Sequence, residues 1–337
     1  MKAFHCSCGQ RVFFENTRCD RCGKLLGFDP ITMSVLALTG DANGELAASE
    51  GITFRHCRNR LDFDACNWLL PTGETNNYCQ ACRLNDVIPD LGRADNIVLW
   101  RRLELAKRRL LYTLLALGLP LGPTSTLPGM RFRFLEDRSR NPDVTEEFVS
   151  TGHAGGVITL NLAEADHASR QQVQEQMHER YRTLLGHFRH ESGHYYYPAL
   201  LAKEADLAVF RYLFGDERAP YDASIQAYYE SGPPVDWERV WVSAYASAHP
   251  LEDWAESFAH YLHIVDALET ARELGAMGKG VAPDGKAGWI LQWGELSVFL
   301  NELNRGLGLE DPYPFVLPPS AVRRLDFIYQ LVGRHSV

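Results

Sequence analysis

The stretch Leu184-Leu185-Gly186-His187-Phe188-Arg189-His190-Glu191-Ser192-Gly193-His194-Tyr195 holds the pattern HExxH at residues 190–194. On an α-helix His190 and His194 lie one turn apart on the same face, so both imidazoles can reach a single metal ion. Glu191 stands beside them, where a carboxylate can take a proton from a metal-bound water and return it to a leaving amine. The alternative is a pair of histidines satisfied by hydrogen bonds on an ordinary helix. The surroundings favour the metal: Val173, Met177, Tyr181, Leu184 and Phe188 recur on a 3.6-residue period, predicting one amphipathic helix over 171–197 that Pro198 ends or restarts. Gly193 is a poor helix former and points to a close approach by another backbone. His187, three residues before His190, reads as a buried or supporting residue and not as a ligand.

A catalytic zinc keeps three protein ligands and one open position. The missing ligand is sought in His249-Pro250-Leu251-Glu252-Asp253-Trp254-Ala255-Glu256, with Pro250 suited to a first helical turn. Glu252, Asp253 and Glu256 are all within one turn of each other. Stacking Glu252 over Glu256 destabilises a helix in water, which metal or histidine partners would explain. A solvated acidic first turn, favoured by the helix dipole, would explain it too. Glu252 is the preferred metal ligand, with Glu256 accepting a hydrogen bond from a ligand imidazole and fixing its tautomer. Spacing alone leaves Glu256 open as the third ligand.

The cysteines carry a second message. All eight lie within the first 82 residues. A disulfide framework would spread them, whereas clustered thiols in a reducing compartment read as metal sites. Cys6-x-Cys8 and Cys19-x-x-Cys22 form a zinc-ribbon pattern, with Gly9 and Gly23 placed to turn backbone N–H groups toward the sulfurs. Cys57, Cys66 and Cys79-x-x-Cys82 form a looser second set that leaves no cysteine over. Buried reduced thiols are the competing reading, and no run matches ferredoxin spacing. Both sets look closed and structural, so two structural zinc ions and one catalytic zinc are expected. Each four-thiolate zinc carries a net charge of −2, which suits a protein contact better than nucleic acid.

The rest bounds the function. The chain has 337 residues and a formal charge of −9, a poor composition for sequence-blind nucleic-acid binding. No apolar run is long enough to cross a bilayer, and MKAFHCSCGQ lacks the apolar segment of a signal peptide. A cytoplasmic protein without membrane contact is expected. A helix is predicted over 94–118 with Asp95 as a cap, strands over 130–135 and 157–162, and further helices over 199–214, 237–248, 251–274, 289–303 and 321–332. The expected fold is α+β: a Cys-rich zinc-ribbon region over 1–90 and a mainly helical zincin-like domain with a small sheet over 91–337. The strand at 157–162 should border the cleft and offer its edge to an extended substrate.

These segments resemble a bacterial family of zinc-ribbon proteins with a zinc-binding metallopeptidase domain. The resemblance runs through both Cys pairs, FFEN (13–16), CNWL (66–69), CQACRLN (79–85), IPDL (88–91), AKRRL (106–110), YRTLLGHFRHESGHYY (181–196) and EDWAESFAHYLH (252–263). More widely, the last two segments are similar to gluzincins, including lethal-factor-like toxins. That similarity implies Glu252 as zinc ligand, Glu256 as support for a histidine, and Tyr245, seven residues before Glu252, as a phenol that stabilises the oxyanion. It implies a peptide or protein substrate and peptide-bond hydrolysis. Two rival readings are a ribbon scaffold that binds proteins through its zinc ribbons beside a weakly active or inactive peptidase domain, and an amidase acting on a non-protein amide. Intact Glu191 argues against the first.

Overall fold

The computed structural model describes residues 1–40, 45–48, 51–138, 140–167, 170, 183–277, 288–313 and 316–335. The architecture is α+β. The N-terminal part contains a two-stranded sheet, β1 (Phe4–His5) with β2 (Arg11–Val12). An antiparallel sheet follows in chain order: β3 (Leu25–Asp29), β4 (Ser34–Gly40), β5 (Leu46–Ala47), β6 (Thr53–His56) and β7 (Leu69–Pro71). The short helix α1 (Arg58–Phe63) sits between the last two.

The third sheet positions the site. β8 (Asn85–Val87) leads into α2 (Ala94–Ala116), which returns to β9 (Arg131–Leu135) parallel to β8. Parallel neighbours need such a crossover, and a helix supplies it. α2 matches the predicted helix, but Arg93 occupies the N-cap position and Asp95 sits in the first turn without capping. Its apolar stripe buries Leu99, Trp100, Leu103, Leu110 and Leu114. Tyr112 on the same helix meets Phe4, Phe14 and Phe28 of the Cys-rich part, so the two parts share one core.

The two predicted strands pair, and in parallel, since β11 (Val157–Asn161) lies beside β9. The expectation that β11 offers a free edge is corrected. β10 (Gly152–Ala154) folds back against it, giving the order β10-β11-β9-β8. Gly155 and Gly156 make this possible at φ 55° and 88°, the left-handed values that a two-residue hairpin turn demands.

The helices are α3 (Leu184–Leu200), α4 (Glu204–Phe214), α5 (Tyr221–Ser231), α6 (Pro250–Glu273), α7 (Gly288–Gly306) and α8 (Pro319–His335). The helix expected over 171–197 differs at both ends. Thr183 is extended and its side chain accepts from the Gly186 N–H at 2.9 Å, so a helix starts there. Residues 171–182, including Val173, Met177 and Tyr181, lie outside the described residues. At the other end α3 continues through Pro198 to Leu200. Pro198 forfeits the bond to the His194 carbonyl and its ring crowds that carbonyl, but it lies in the last turn, where only two residues of helix remain to be carried past it. The helix expected over 237–248 is replaced by two single turns, Trp237–Arg239 and Tyr245–Ser247. α5 lies in a stretch for which no helix was expected. Among the described residues no helix is long and apolar enough to cross a membrane.

Candidate metal centre and active site

α3 and α6 cross in direct backbone contact. A Cβ on Gly193 would come within 3.0 Å of Ala255 Cα and 3.1 Å of Phe258 Cβ, which is the close approach its glycine implied. The Trp254 indole N–H donates to the Gly193 carbonyl at 2.8 Å and pins the crossing. His249 caps α6 by accepting from the Leu251 N–H, and Pro250 occupies the first turn. This packing sets Glu252 opposite the two histidines of α3.

His190 Nε2 lies 3.1 Å from Glu252 Oε2, His194 Nε2 lies 3.4 Å from Glu252 Oε1, and the two Nε2 atoms are 3.2 Å apart. A tetrahedral ion with N and O ligands at about 2.0–2.2 Å has edges of roughly 3.3–3.6 Å, so these spacings, each taken to the Glu252 oxygen nearer that ring, have the size for zinc. The protonation pattern agrees. His190 Nδ1 is 2.6 Å from Glu256 Oε1, and Glu256 Oε2 accepts from the Ser243 hydroxyl at 2.6 Å. Burial alone would raise the Glu256 carboxyl, but its bond to His190 holds it at about 2. An ionised carboxylate only accepts, so Nδ1 carries a hydrogen and Nε2 is the nitrogen that faces Glu252. Glu252 Oε2 is buried without a hydrogen-bond partner. A buried carboxylate facing imidazole nitrogens calls for a positive charge between them, a proton or a metal ion. Burial opposes charge on His190, yet Glu252 and Glu256 outweigh it and push its proton affinity well up. A metal ion at Nε2 answers the same negative field.

Glu191 is buried and its Oε2 has no hydrogen-bond partner. Burial raises its carboxyl above the usual range, against the pull of His190 and His194. Asp253 turns away and pairs with Arg324 at 3.1 Å. Tyr245 lies with its ring 6.0 Å from that of His190, and burial together with Glu252 keeps its phenol protonated. His187 pairs through Nδ1 with Glu164. Sequence reasoning missed Tyr221, whose hydroxyl donates to Glu252 Oε1 at 2.7 Å, and Ser243. It also missed His153 on β10, whose ring meets Tyr195 and whose imidazole is lowered to about 4 by burial and then by His194.

Both cysteine sets converge, and all eight thiols are free of disulfides. Cys6 and Cys22 sulfurs are 3.6 Å apart, Cys8 and Cys19 3.7 Å, and Cys66 and Cys79 3.6 Å. Zinc with sulfur at about 2.3 Å gives edges of roughly 3.8 Å. Gly9 and Gly23 take φ 82° and 71°, but their N–H groups bond the carbonyls of Cys6 and Cys19. At the second set, N–H groups do reach sulfur: Trp68 to Cys66 and Cys79 to Cys57, both at 3.4 Å. Burial and then the three neighbouring thiols push the Cys79 thiol well up, so four thiolates coexist there only around a cation.

Residues 96–331 match the family model described as "Putative zinc-binding metallo-peptidase". The chain belongs to this zinc-binding metallopeptidase family. Residues 3–93 match a zinc-ribbon domain. This family member is similar to an uncharacterized protein of Mycobacterium bovis and one of Mycobacterium tuberculosis. Each is 41% identical over 343 residues, covering 98% of this chain and 95% of the relative. No solved structure matches the chain.

Proposed function

We propose that this protein is a zinc-dependent peptidase that hydrolyses peptide bonds, with His190, His194 and Glu252 as the catalytic zinc ligands and Glu191 as general base. The observation that carries it is the convergence of His190 Nε2, His194 Nε2 and the Glu252 carboxylate at 3.1–3.4 Å beside the unpaired, buried Glu191 carboxylate oxygen. Zinc held there supplies Lewis acidity, polarising a substrate carbonyl and lowering the pKa of a water to about 7. The chain's own residues do the rest. Glu191, held partly against ionisation by burial, takes a proton and passes it to the leaving amine. Tyr245, kept protonated, donates to the developing oxyanion. Glu256 and Ser243 fix the His190 ring. β10 is an edge strand along α3, and an extended peptide can pair with it. That edge favours a peptide over a small non-protein amide. The two Cys₄ sets hold structural zinc.

The test pairs metal analysis with turnover of a peptide mixture followed by mass spectrometry. Wild type should hold three zinc ions and His190→Ala/His194→Ala two. Glu191→Gln should hold three and lose about 10²–10⁴-fold in rate. Full hydrolysis by Glu191→Gln would remove this mechanism.

A further inference from the structure

We propose that Tyr221, from α5, selects which oxygen of Glu252 faces the metal position and so acts as a positioning residue for the third ligand. The inference rests on the metal-site reading above. A carboxylate beside two imidazoles can offer one oxygen or both, and the outcome depends on what engages the second oxygen. The Tyr221 hydroxyl donates to Glu252 Oε1 at 2.7 Å. Oε2 is buried, has no hydrogen-bond partner and lies 3.1 Å from His190 Nε2, whereas Oε1, the oxygen that Tyr221 engages, lies 3.4 Å from His194 Nε2. An oxygen that already accepts a hydrogen bond is the weaker donor to a cation. Tyr221 therefore leaves Oε2 as the ligating atom, as Glu256 leaves Nε2 as the ligating atom of His190.

The helix that carries Tyr221 gives this bond a second consequence. α5 buries none of its residues. It is bracketed by Gly215 at φ 105° and Gly232 at φ 73°, both left-handed positions that suit glycine. It joins the start of α6 through Tyr221 and through the Ala219 carbonyl, which accepts from His249 Nε2 at 3.1 Å. Farther along, the Tyr228 ring stands edge-on to Tyr245 at 5.6 Å. α5 thus reaches both the third ligand and the phenol assigned to the oxyanion, without core contacts of its own. A peptide that enters beside Tyr245 meets α5. Displacing that helix breaks the Tyr221–Glu252 bond, so grip on the metal and access to the site are linked.

The experiment measures third-site zinc affinity by competition with a chelating dye, and the absorption bands of cobalt(II) loaded into that site after mild chelation. It compares wild type, Tyr221→Phe and Gln226→Ala. Gln226 is exposed on the same helix and its amide donates to Glu230 of that helix at 2.7 Å, so its variant reports a disturbance of α5 itself. Tyr221→Phe should bind third-site zinc about 10–100-fold more weakly and shift the cobalt bands, as coordination moves from one oxygen toward two. Gln226→Ala should do neither, and both Cys₄ metals should stay. Unchanged affinity and bands in Tyr221→Phe, with three metals in wild type, overturn the role of Tyr221 and leave the site reading standing. Equal losses in both variants also overturn it. A His190→Ala/His194→Ala chain that loses no metal overturns the site reading and this inference together.

Discussion

Gly193→Ala tests the helix crossing that builds the site. The added Cβ would meet Ala255 Cα at 3.0 Å, Phe258 Cβ at 3.1 Å and the Ala255 carbonyl at 3.3 Å. Carbon atoms rest at about 3.5–4.0 Å, and none of these three atoms is the far end of a flexible side chain. α3 and α6 must therefore part by roughly half an ångström. Overpacking of this kind costs about 1–3 kcal/mol, while alanine regains about 1 kcal/mol in helix propensity. The net is roughly 0–2 kcal/mol, or up to about 8 °C in Tm at about 2–4 °C per kcal/mol for a large domain. The metal should feel it more. His190 and His194 ride on α3 and Glu252 on α6, three residues before Ala255, and metal–ligand distances tolerate only about ±0.2 Å. Third-site zinc affinity should fall at least about tenfold, with both Cys₄ zincs retained. The assays are thermal melting and dye competition. Gly294→Ala is the control, because a Cβ there meets nothing within 4 Å and should leave stability equal or higher. If Gly193→Ala matches wild type in both Tm and third-site affinity, the helices do not meet as described.

Three further outcomes follow from the same geometry. Glu252→Ala should empty the third site, whereas Glu256→Ala should weaken it by about 10–100-fold, read by zinc content after graded chelation. Tyr245→Phe should keep three zinc ions and lower the turnover rate; an unchanged rate would remove its phenol from the mechanism. His260 is buried, and burial above all holds its pKa at about 4, below the ordinary 6.5. A histidine kept neutral in the fold stabilises it above pH 6.5 and loses that contribution as pH falls toward 4, so His260→Gln should flatten the loss of denaturant stability across this window.

What could be read from residues alone was the chemistry with fixed spacing. HExxH demands an i,i+4 pair, and zinc demands closely spaced thiols, so His190, His194 and the two Cys sets stand out without knowledge of the fold. α2 and α6 were legible because each buries a long stripe. α5 was not, because a helix that buries nothing prints no apolar period. Tyr221 sits on it and was invisible for the same reason. The stretch 237–248 misled in the opposite sense. Val242 and Ala246 are buried against Ala321 of α8, and apolar residues four apart look helical even when single turns carry them. β10 is three residues long with a glycine at its start, too short for alternation to show. Its presence moved the cleft edge from β11 to β10.

The second Cys₄ site explains why the ribbon and the peptidase part share a core. Its four cysteines are all buried, and α2 lays Glu104 and Arg108 beside them, with Lys107 next to Glu104. Lys107 donates to Glu104 at 2.8 Å and Arg108 to the Ala65 carbonyl at 2.5 Å, and Arg108 lies 3.7 Å from Glu104. Burying such charges costs several kcal/mol per ion unless opposite charge compensates. Burial works against charge on Arg108, but Cys66 and Glu104 hold it charged. With zinc bound, the four thiolates would carry −2, of which the guanidinium offsets one charge. Lys107 in turn stands over the rings of Phe132 and Phe134 on β9, and both rings pack on Phe188 of α3, two residues before His190. The contact path from the thiolates to the HExxH helix is therefore continuous and buried. If that site holds zinc as proposed, metal loss with protonation of the thiols removes the charge that faces Arg108 inside the core that carries α3, so stripping it should loosen α3 and not the Cys-rich part alone.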